Sequence, residues 1–343
     1  MGESMTLPIL IIGAGPVGLA LAVALQRQGI PCQVYEQLDD LSPEARASTF
    51  HPSTLEMFAE WGILDAVVAR GFRVDSMQFW ERDGHELLAQ LEYCHIADDT
   101  PYPFRLQCPQ SVVTRLLKPI IETAQPGTVH MGHTLTRFED HGDHVTACFA
   151  TIDGEVVVEG AYLCGADGSK SLVRKQLDLS FEGMTYQDRF LLVASDIDFK
   201  RIYQQFGAVS YIFDPDEWVI VLQLPDMTRT VFQVHPHEQD ADILQPAAVY
   251  ERFAKFAGTE VIPQLHGISI YSVHQRVAET FRVGRVLLLG DAAHINNPMG
   301  GMGMNSGIHD AHCLSGYLTQ VMNGGHDSLL DDYSARRRGY ALA

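Results

Sequence analysis

Apolar positions change their spacing several times along the chain, and each change predicts a different element. Residues 7–12 form an unbroken apolar run of strand length, residues 16–28 place apolar side chains at helical spacing, and residues 31–36 are strand-like again. Together they predict one β-α-β unit. Helical patterns follow at 52–61 and 64–70, after which residues 74–91 switch to short β-like stretches around the Asp83-Gly84 turn signal. A helix is expected over 110–124, then a β-meander over 129–165 with turns at 141–143 and 153–154, closing in an apolar strand over 161–164. Further strands are expected at 190–196, 209–213, 218–224 and 230–235, a helix at 246–256, a buried strand at 285–290, and helical segments at 304–323 and 328–343. These switches divide the chain into a discontinuous α/β body (1–72, 104–180 and 278–343) and a strand-rich body inserted into it (73–103 and 181–277). The last segment reaches the final residue without a stop signal, which reads as a shortened form of something longer.

No charged side chain occurs between Thr6 and Gln26, a stretch long enough for a membrane span. Gly13, Gly15, Pro16 and Gly18 interrupt it where a spanning helix would be continuous, and no basic leader precedes it. It therefore reads as strand, turn and helix rather than as a transmembrane segment, and a cytoplasmic location is expected. The 343 residues, 46% hydrophobic and 20% charged, fit a water-soluble chain with a sizeable core.

Forty-three acidic against 24 basic side chains leave a net charge of −19, which repels nucleic-acid phosphates and anionic lipid surfaces. Nucleic acid is not expected as a partner. The one basic cluster, Arg336-Arg337-Arg338, is too short for a binding stripe and reads as a helix face. Six scattered cysteines show neither metal-ligand spacing nor a C-x-x-C pair and read as buried thiols. A phosphate-bearing ligand would have to be held largely by backbone amides.

Three stretches can supply such amides. Gly13-Ala14-Gly15-Pro16-Val17-Gly18 fits G-x-G-x-x-G between the first strand and helix: the first glycine allows the turn, the second admits a pyrophosphate, and the third lets helix pack on strand. Glu36 follows at the end of the second strand, where a carboxylate suits an adenosine ribose and repels a 2′-phosphate, favouring FAD or NAD over NADP at this site. In the second stretch, 165–174, an apolar strand runs into Asp167-Gly168-Ser169 and a helix start; an anion site and a simple capped turn both fit. The third places Gly290-Asp291 at the end of a buried strand and leads into 298–305, a glycine loop before another helix N-terminus. Asp291 can accept a polyol hydroxyl there, and the helix end can stabilise negative charge on a reduced flavin ring.

In this order and spacing the three stretches resemble the FAD-dependent aromatic hydroxylases, the single-component flavoprotein monooxygenases typified by p-hydroxybenzoate hydroxylase, over essentially the whole chain. The resemblance implies an α/β fold in which a Rossmann-like FAD-binding domain carries an inserted β-sheet-rich substrate domain. It assigns FAD contacts to Gly13, Gly15, Pro16, Gly18, Glu36 and Gln37, to Arg46 and Gln110, and to Asp167, Gly168 and Arg174. Gly290 and Asp291 fall at the ribityl chain, and Pro298, Gly300, Gly303, Met304 and Asn305 beside the flavin ring.

The implied chemistry is transient reduction by NADPH or NADH, reaction with dioxygen to a flavin hydroperoxide, and hydroxylation of a small phenolic or related aromatic substrate. A homodimer is left open. The competing readings are an FAD-dependent reductase or dehydrogenase on the prenyl-reductase plan and a flavin-binding module without catalysis. Relatives usually continue beyond the point where this sequence stops. Segment 218–224 resembles a substrate-contacting strand but carries Gln223 and no arginine, so a carboxylate clamp is not expected there.

The group that assists substrate deprotonation is not fixed by the pattern. Tyr211, Gln223 and His235 on the expected substrate-domain strands, His51 after the Arg46 segment, and Pro298 beside the flavin loop are the catalytic candidates; strand surface or filled core explains most of them as well. The close histidine pairs (130/133, 141/144, 235/237 and 309/312) lack a third ligand, so no metal is expected.

Overall fold

The structure is a computed structural model that describes residues 7–43, 47–258 and 262–343. Strands Ile9–Ile12 and Cys32–Tyr35 pair in parallel across helix Pro16–Arg27, giving the expected β-α-β unit. Tyr162–Gly165 and Val286–Leu288 extend this sheet on one side and Val129–His130 on the other, all parallel, with Arg282–Val283 antiparallel at the edge. Every residue of Ile9–Ile12 and Tyr162–Gly165 is buried. Continuous apolar runs are what a strand covered on both faces requires. Helix Pro16–Arg27 packs against Gln110–Ala124 and Met302–Met322, and an antiparallel meander, Thr134–Asp140, Val145–Thr151 and Gly154–Gly160, contributes Leu135, Val145, Ala147 and Phe149 to the same core.

The inserted strands form an eight-stranded sheet in the order His294–Ile295, Leu265–Ala278, Phe181–Ser195, Thr228–Val234, Val219–Gln223, Val209–Phe213, Ser76–Glu81, Leu87–Glu92. Side chains alternate between its faces. One face carries a second core of Leu191, Val193, Val219, Val221 and Phe232 under Val249 and Phe253 of helix Pro246–Ala257. The other carries Phe190, Val231 and Val273, flanked by Tyr186, Trp218 and Tyr271.

Two expectations are revised here. The strand expected at 190–196 is the end of a 15-residue strand, Phe181–Ser195, whose long partner Leu265–Ala278 was not resolved as an element. The first half of that pair is largely exposed and carries no apolar stripe, so periodicity gives it no signal. A small sheet of Thr49–Phe50, Arg105–Gln107 and Phe72–Val74 was also unforeseen, its strands being only two or three residues long.

Candidate active site

The first glycine turn is fixed by contacts that leave no room for side chains. Gly13 has φ +105°, and a Cβ there would lie 2.5 Å from the Ala166 carbonyl oxygen; a Cβ on Gly18 would lie 1.9 Å from the Gly13 carbonyl oxygen. Gly15, by contrast, borders open space. The helix that starts there has Pro16 in its first turn, no acidic first-turn side chain and no side-chain cap, so its terminal amides are free of side-chain acceptors. Glu36 accepts from the amides of Ala14 (2.8 Å) and Leu38 (3.0 Å), holding its carboxylate beside the turn, and the exposed Gln37 follows.

The second and third stretches close onto the first. The contact between Gly13 and Ala166 brings in Asp167, whose Oδ2 caps the amides of Leu172 (2.7 Å) and Val173 (3.1 Å). Asp167 Oδ1 is buried without a hydrogen-bond partner among the described residues. Gly168 turns the chain at φ +76°. Arg174 donates to the carbonyls of Ser169 and Ala292, both at 2.8 Å, and its guanidinium lies 3.8 Å over the Phe181 ring. Val17 packs against both Gly290 and Gly307, and Asp291 stays exposed beside that contact. An open Gly15 and an uncapped helix start fit a dinucleotide diphosphate with its ribose on Glu36, and the unmatched Asp167 oxygen can accept a hydroxyl of the same ligand.

Behind Gly290 lies a buried ionic cluster. Asp310, with no exposed surface, accepts from the Gly290 amide (2.9 Å), from His294 Nε2 (2.7 Å) and from Arg337 Nε. Burial opposes both charges, but their mutual hydrogen bond and attraction prevail: the Asp310 carboxyl is held below its usual range and the His294 imidazole above its own. Arg337, the middle residue of the basic cluster, therefore points inward.

The glycine loop is stapled from the opposite side. Asn305 Oδ1 accepts from the His51 amide (3.0 Å) and Thr54 Oγ1 (2.7 Å), while its Nδ2 donates to the carbonyls of Thr49 (2.8 Å) and Gly301 (2.7 Å). The Gly300 carbonyl lies 2.8 Å from His51 Nε2 and also accepts from Arg105. Burial, and then the Arg105 charge, push the His51 pKa down to about 4, so the ring is neutral near neutral pH.

Arg105 leads into a cavity of about 550 Å³ between the sheet face and this loop. Its wall is aromatic: Phe79, Phe190, Tyr211, Phe213 and Trp218 line it, with Arg105, Asp188, Asn297 and Gly300 as polar members. Phe79 stacks on Tyr211 at 5.4 Å and 14°, and Phe190 packs against Trp218 at 5.2 Å. Flat apolar walls with few polar groups suit a planar aromatic guest.

A family model described as an FAD binding domain matches residues 6–343. The chain belongs to the FAD-binding aromatic hydroxylase family. Para-nitrophenol 4-monooxygenase of Pseudomonas sp. (strain WBC-3) is 29% identical over 336 residues, which cover 96% of this chain and 82% of that one. The crystal structure of p-nitrophenol 4-monooxygenase PnpA from Pseudomonas putida DLL-E4 superposes with a TM-score of 0.90 at 29% identity, covering 98% of this chain and 86% of that one. Aklavinone-11 hydroxylase, in a ternary complex with FAD and aklavinone, gives a TM-score of 0.86 at 28% identity over 100% of this chain and 67% of its own. This hydroxylase-family chain is an FAD-dependent oxidoreductase.

Within the hydroxylase fold, the sequence candidates fall into distinct places. Gly13, Gly15, Pro16, Gly18, Glu36, Asp167, Gly168, Arg174, Gly290 and Asp291 form one continuous region. Gln110 starts its helix with its amide on the Ala47 carbonyl (3.0 Å), next to Arg46, which lies outside the described residues. Gly300 reaches the cavity; Pro298 is exposed, Gly303 opens on space, Met304 packs on the main core, and the Asn305 side chain is used wholly within the protein.

Tyr211 lines the cavity, and His51 lies behind it through Arg105. Gln223 does not join them: it shares the strand parity of Val219 and Val221 and so faces the second core, beside Thr228 and Phe199. His235 lies past the end of its strand, stacked on His237 at 5.6 Å with its amide on Glu238. Arg105, Asp188 and Trp218 escaped the sequence reading as candidates. For Arg105 the only signal was an isolated arginine in a three-residue strand.

Proposed function

We propose that this chain is an NAD(P)H-dependent monooxygenase that inserts one oxygen atom from dioxygen into a small phenolic or related aromatic ring. The observation that carries the reading is the aromatic cavity ending on Gly300, in the loop that Asn305 and His51 hold next to the three dinucleotide-contacting stretches. In this reading residues 1–72, 104–180 and 278–343 serve the cofactor, and residues 73–103 and 181–277 serve the substrate.

When bound, FAD supplies the two-electron and oxygen chemistry that no side chain can. The chain's own contribution is placement and exclusion of water. The free amides at the Gly15–Gly18 helix start would receive the diphosphate, Glu36 the ribose, and Asp291 the polyol chain. Phe79, Tyr211, Phe190 and Trp218 orient the guest ring and keep water away from the reacting face. Neutral His51 and Arg105, both on the Gly300 carbonyl, fix the loop that borders that ring.

Purified protein with FAD and a panel of phenols, hydroxypyridines and fused aromatics tests the reading. Substrate-stimulated NAD(P)H oxidation, with product heavier by one oxygen atom and labelled by ¹⁸O₂, is the expected result. Turnover that continues unchanged without dioxygen overturns it.

A further inference from the structure

Arg105 is 3% exposed. Among the described residues no carboxylate lies within ion-pair distance of it, whereas two other buried arginines are matched, Arg337 by Asp310 and Arg252 by Glu217 and Glu238, and a third, Arg174, spends its NH groups on two backbone carbonyls. Its partners are the Gly300 carbonyl, the Met77 sulfur at 2.7 Å and the His51 ring at 3.2 Å, and its Nε is buried without an acceptor. All three partners are uncharged. A buried cation without a counter-charge is unfavourable and is retained where a ligand provides the missing charge.

Among the described residues, Arg105 is also the one cationic side chain that lines the aromatic cavity. The cavity's carboxylate, Asp188, is on the strand wall, where Gln233 donates to it at 3.3 Å. The other titratable groups facing Arg105 are His51, Tyr93 and Tyr211, with Tyr186 further round the lining; burial holds the Tyr93 hydroxyl protonated. The positive charge thus stands at the loop end of an otherwise apolar and acidic chamber.

We propose that Arg105 receives the negatively charged ring oxygen of the substrate, which therefore binds as its phenolate with that oxygen at the Gly300 end of the cavity. The proposal rests on the substrate cavity identified above and adds the orientation of the ring and the residue that receives its charge. The phenol's proton leaves to bulk water on binding, and no base within the cavity is needed to hold it. With that oxygen at the loop end, the ortho carbons are the activated positions nearest the Gly300 loop and the para carbon lies farthest from it.

The test uses the FAD-loaded protein without NAD(P)H and 4-nitrophenol as probe, chosen because its phenolate is yellow and its neutral form is not. Difference spectra across pH report the ionisation of the bound probe, and an unbuffered indicator dye reports the released proton. The wild type is expected to lower the probe's pKa by about one unit or more. Arg105→Gln should abolish that shift and weaken binding by about 30-fold or more, while FAD-loaded sites bind neutral nitrobenzene as the wild type does. Arg105→Lys should retain the ionised probe with weaker binding, which keeps the test decisive if the glutamine variant does not fold.

A neutral bound probe in the wild type overturns the proposal, as does an undiminished shift in Arg105→Gln or, should that variant lose FAD, an Arg105→Lys variant that binds the probe in its neutral form. Arg105-dependent binding of 4-nitrobenzoate in preference to 4-nitrophenol also overturns it, in favour of a carboxylate clamp. Phenolate binding without oxygen insertion in the turnover assay leaves this assignment standing and removes the monooxygenase reading alone.

Discussion

Asp310→Asn isolates the buried cluster behind Gly290. The carboxylate serves three donors, the Gly290 amide, His294 Nε2 and Arg337 Nε, with no solvent access. A carboxamide of the same size offers one acceptor and one donor. In either flip its NH₂ faces a nitrogen donor, and both Arg337 and His294 lose their counter-charge. Breaking a buried charge pair from one side costs about 3–5 kcal/mol. The retained acceptor puts the expected loss near the lower bound, about 3 kcal/mol, or roughly 6 °C in melting temperature at about 2 °C per kcal/mol.

The pH dependence has a definite sign. Asp310 is held below its ordinary value, so its contribution is complete above about pH 4 and is lost as pH falls through its folded value; His294 is raised, so its contribution is complete below about pH 6.5 and is lost as pH rises through its folded value. The gap between wild type and Asp310→Asn should therefore be widest between about pH 4 and 6.5. It should narrow on either side, leaving at high pH the part due to Arg337 and the Gly290 amide. Melting of the FAD-loaded proteins, followed by flavin fluorescence from pH 4 to 9, measures it. A gap that is flat across this range and smaller than about 1 °C refutes the reasoning.

Other outcomes follow from the same geometry. Gly18→Ala drives a methyl into the Gly13 carbonyl, 1.9 Å away, and should yield folded protein that loses most of its flavin, read as the flavin-to-protein absorbance ratio. His51 and His309 are both half-buried and shifted down to about 4, so their contribution is present above about pH 6.5 and lost on acidification; His309→Gln should flatten that acid limb in thermal melts. Trp218→Ala removes one aromatic wall and should raise KM for the turnover substrate about tenfold or more with a smaller change in kcat. Gln223→Ala and His235→Ala lie off the cavity and should leave kcat/KM within about twofold; a tenfold fall for either would show that the cavity has been misassigned.

The cofactor region was legible because its chemistry is written in consecutive residues. Gly13 to Gly18, Asp167-Gly168 and Gly290-Asp291 each join a buried apolar strand to a turn, and a strand buried on both faces announces itself as an unbroken apolar run. The cavity was less legible because its residues come from separate elements and are brought together only by sheet pairing. Arg105 comes from the small sheet, Phe79 from Ser76–Glu81, and Trp218 from just before Val219–Gln223. Gln223 illustrates the limit: its strand was foreseen, but which face it occupies depends on register, and one residue of parity separates the cavity from the second core. The cysteines were legible only in part, since Cys94 is exposed although Cys32, Cys108, Cys148 and Cys164 are buried.

The pairing of His294–Ile295 with Arg276 and Val277 makes the strand that follows Gly290-Asp291 the outermost rung of the eight-stranded ladder. Val273, in the cavity wall, lies four residues before Val277 on that same strand, about 13 Å along it. The far end of that strand is tied to the Asp310 cluster, because His294, its partner across Val277, gives its Nε2 to Asp310. One continuous strand thus carries a wall of the cavity at Val273 and, four residues on, the rung that ends in His294.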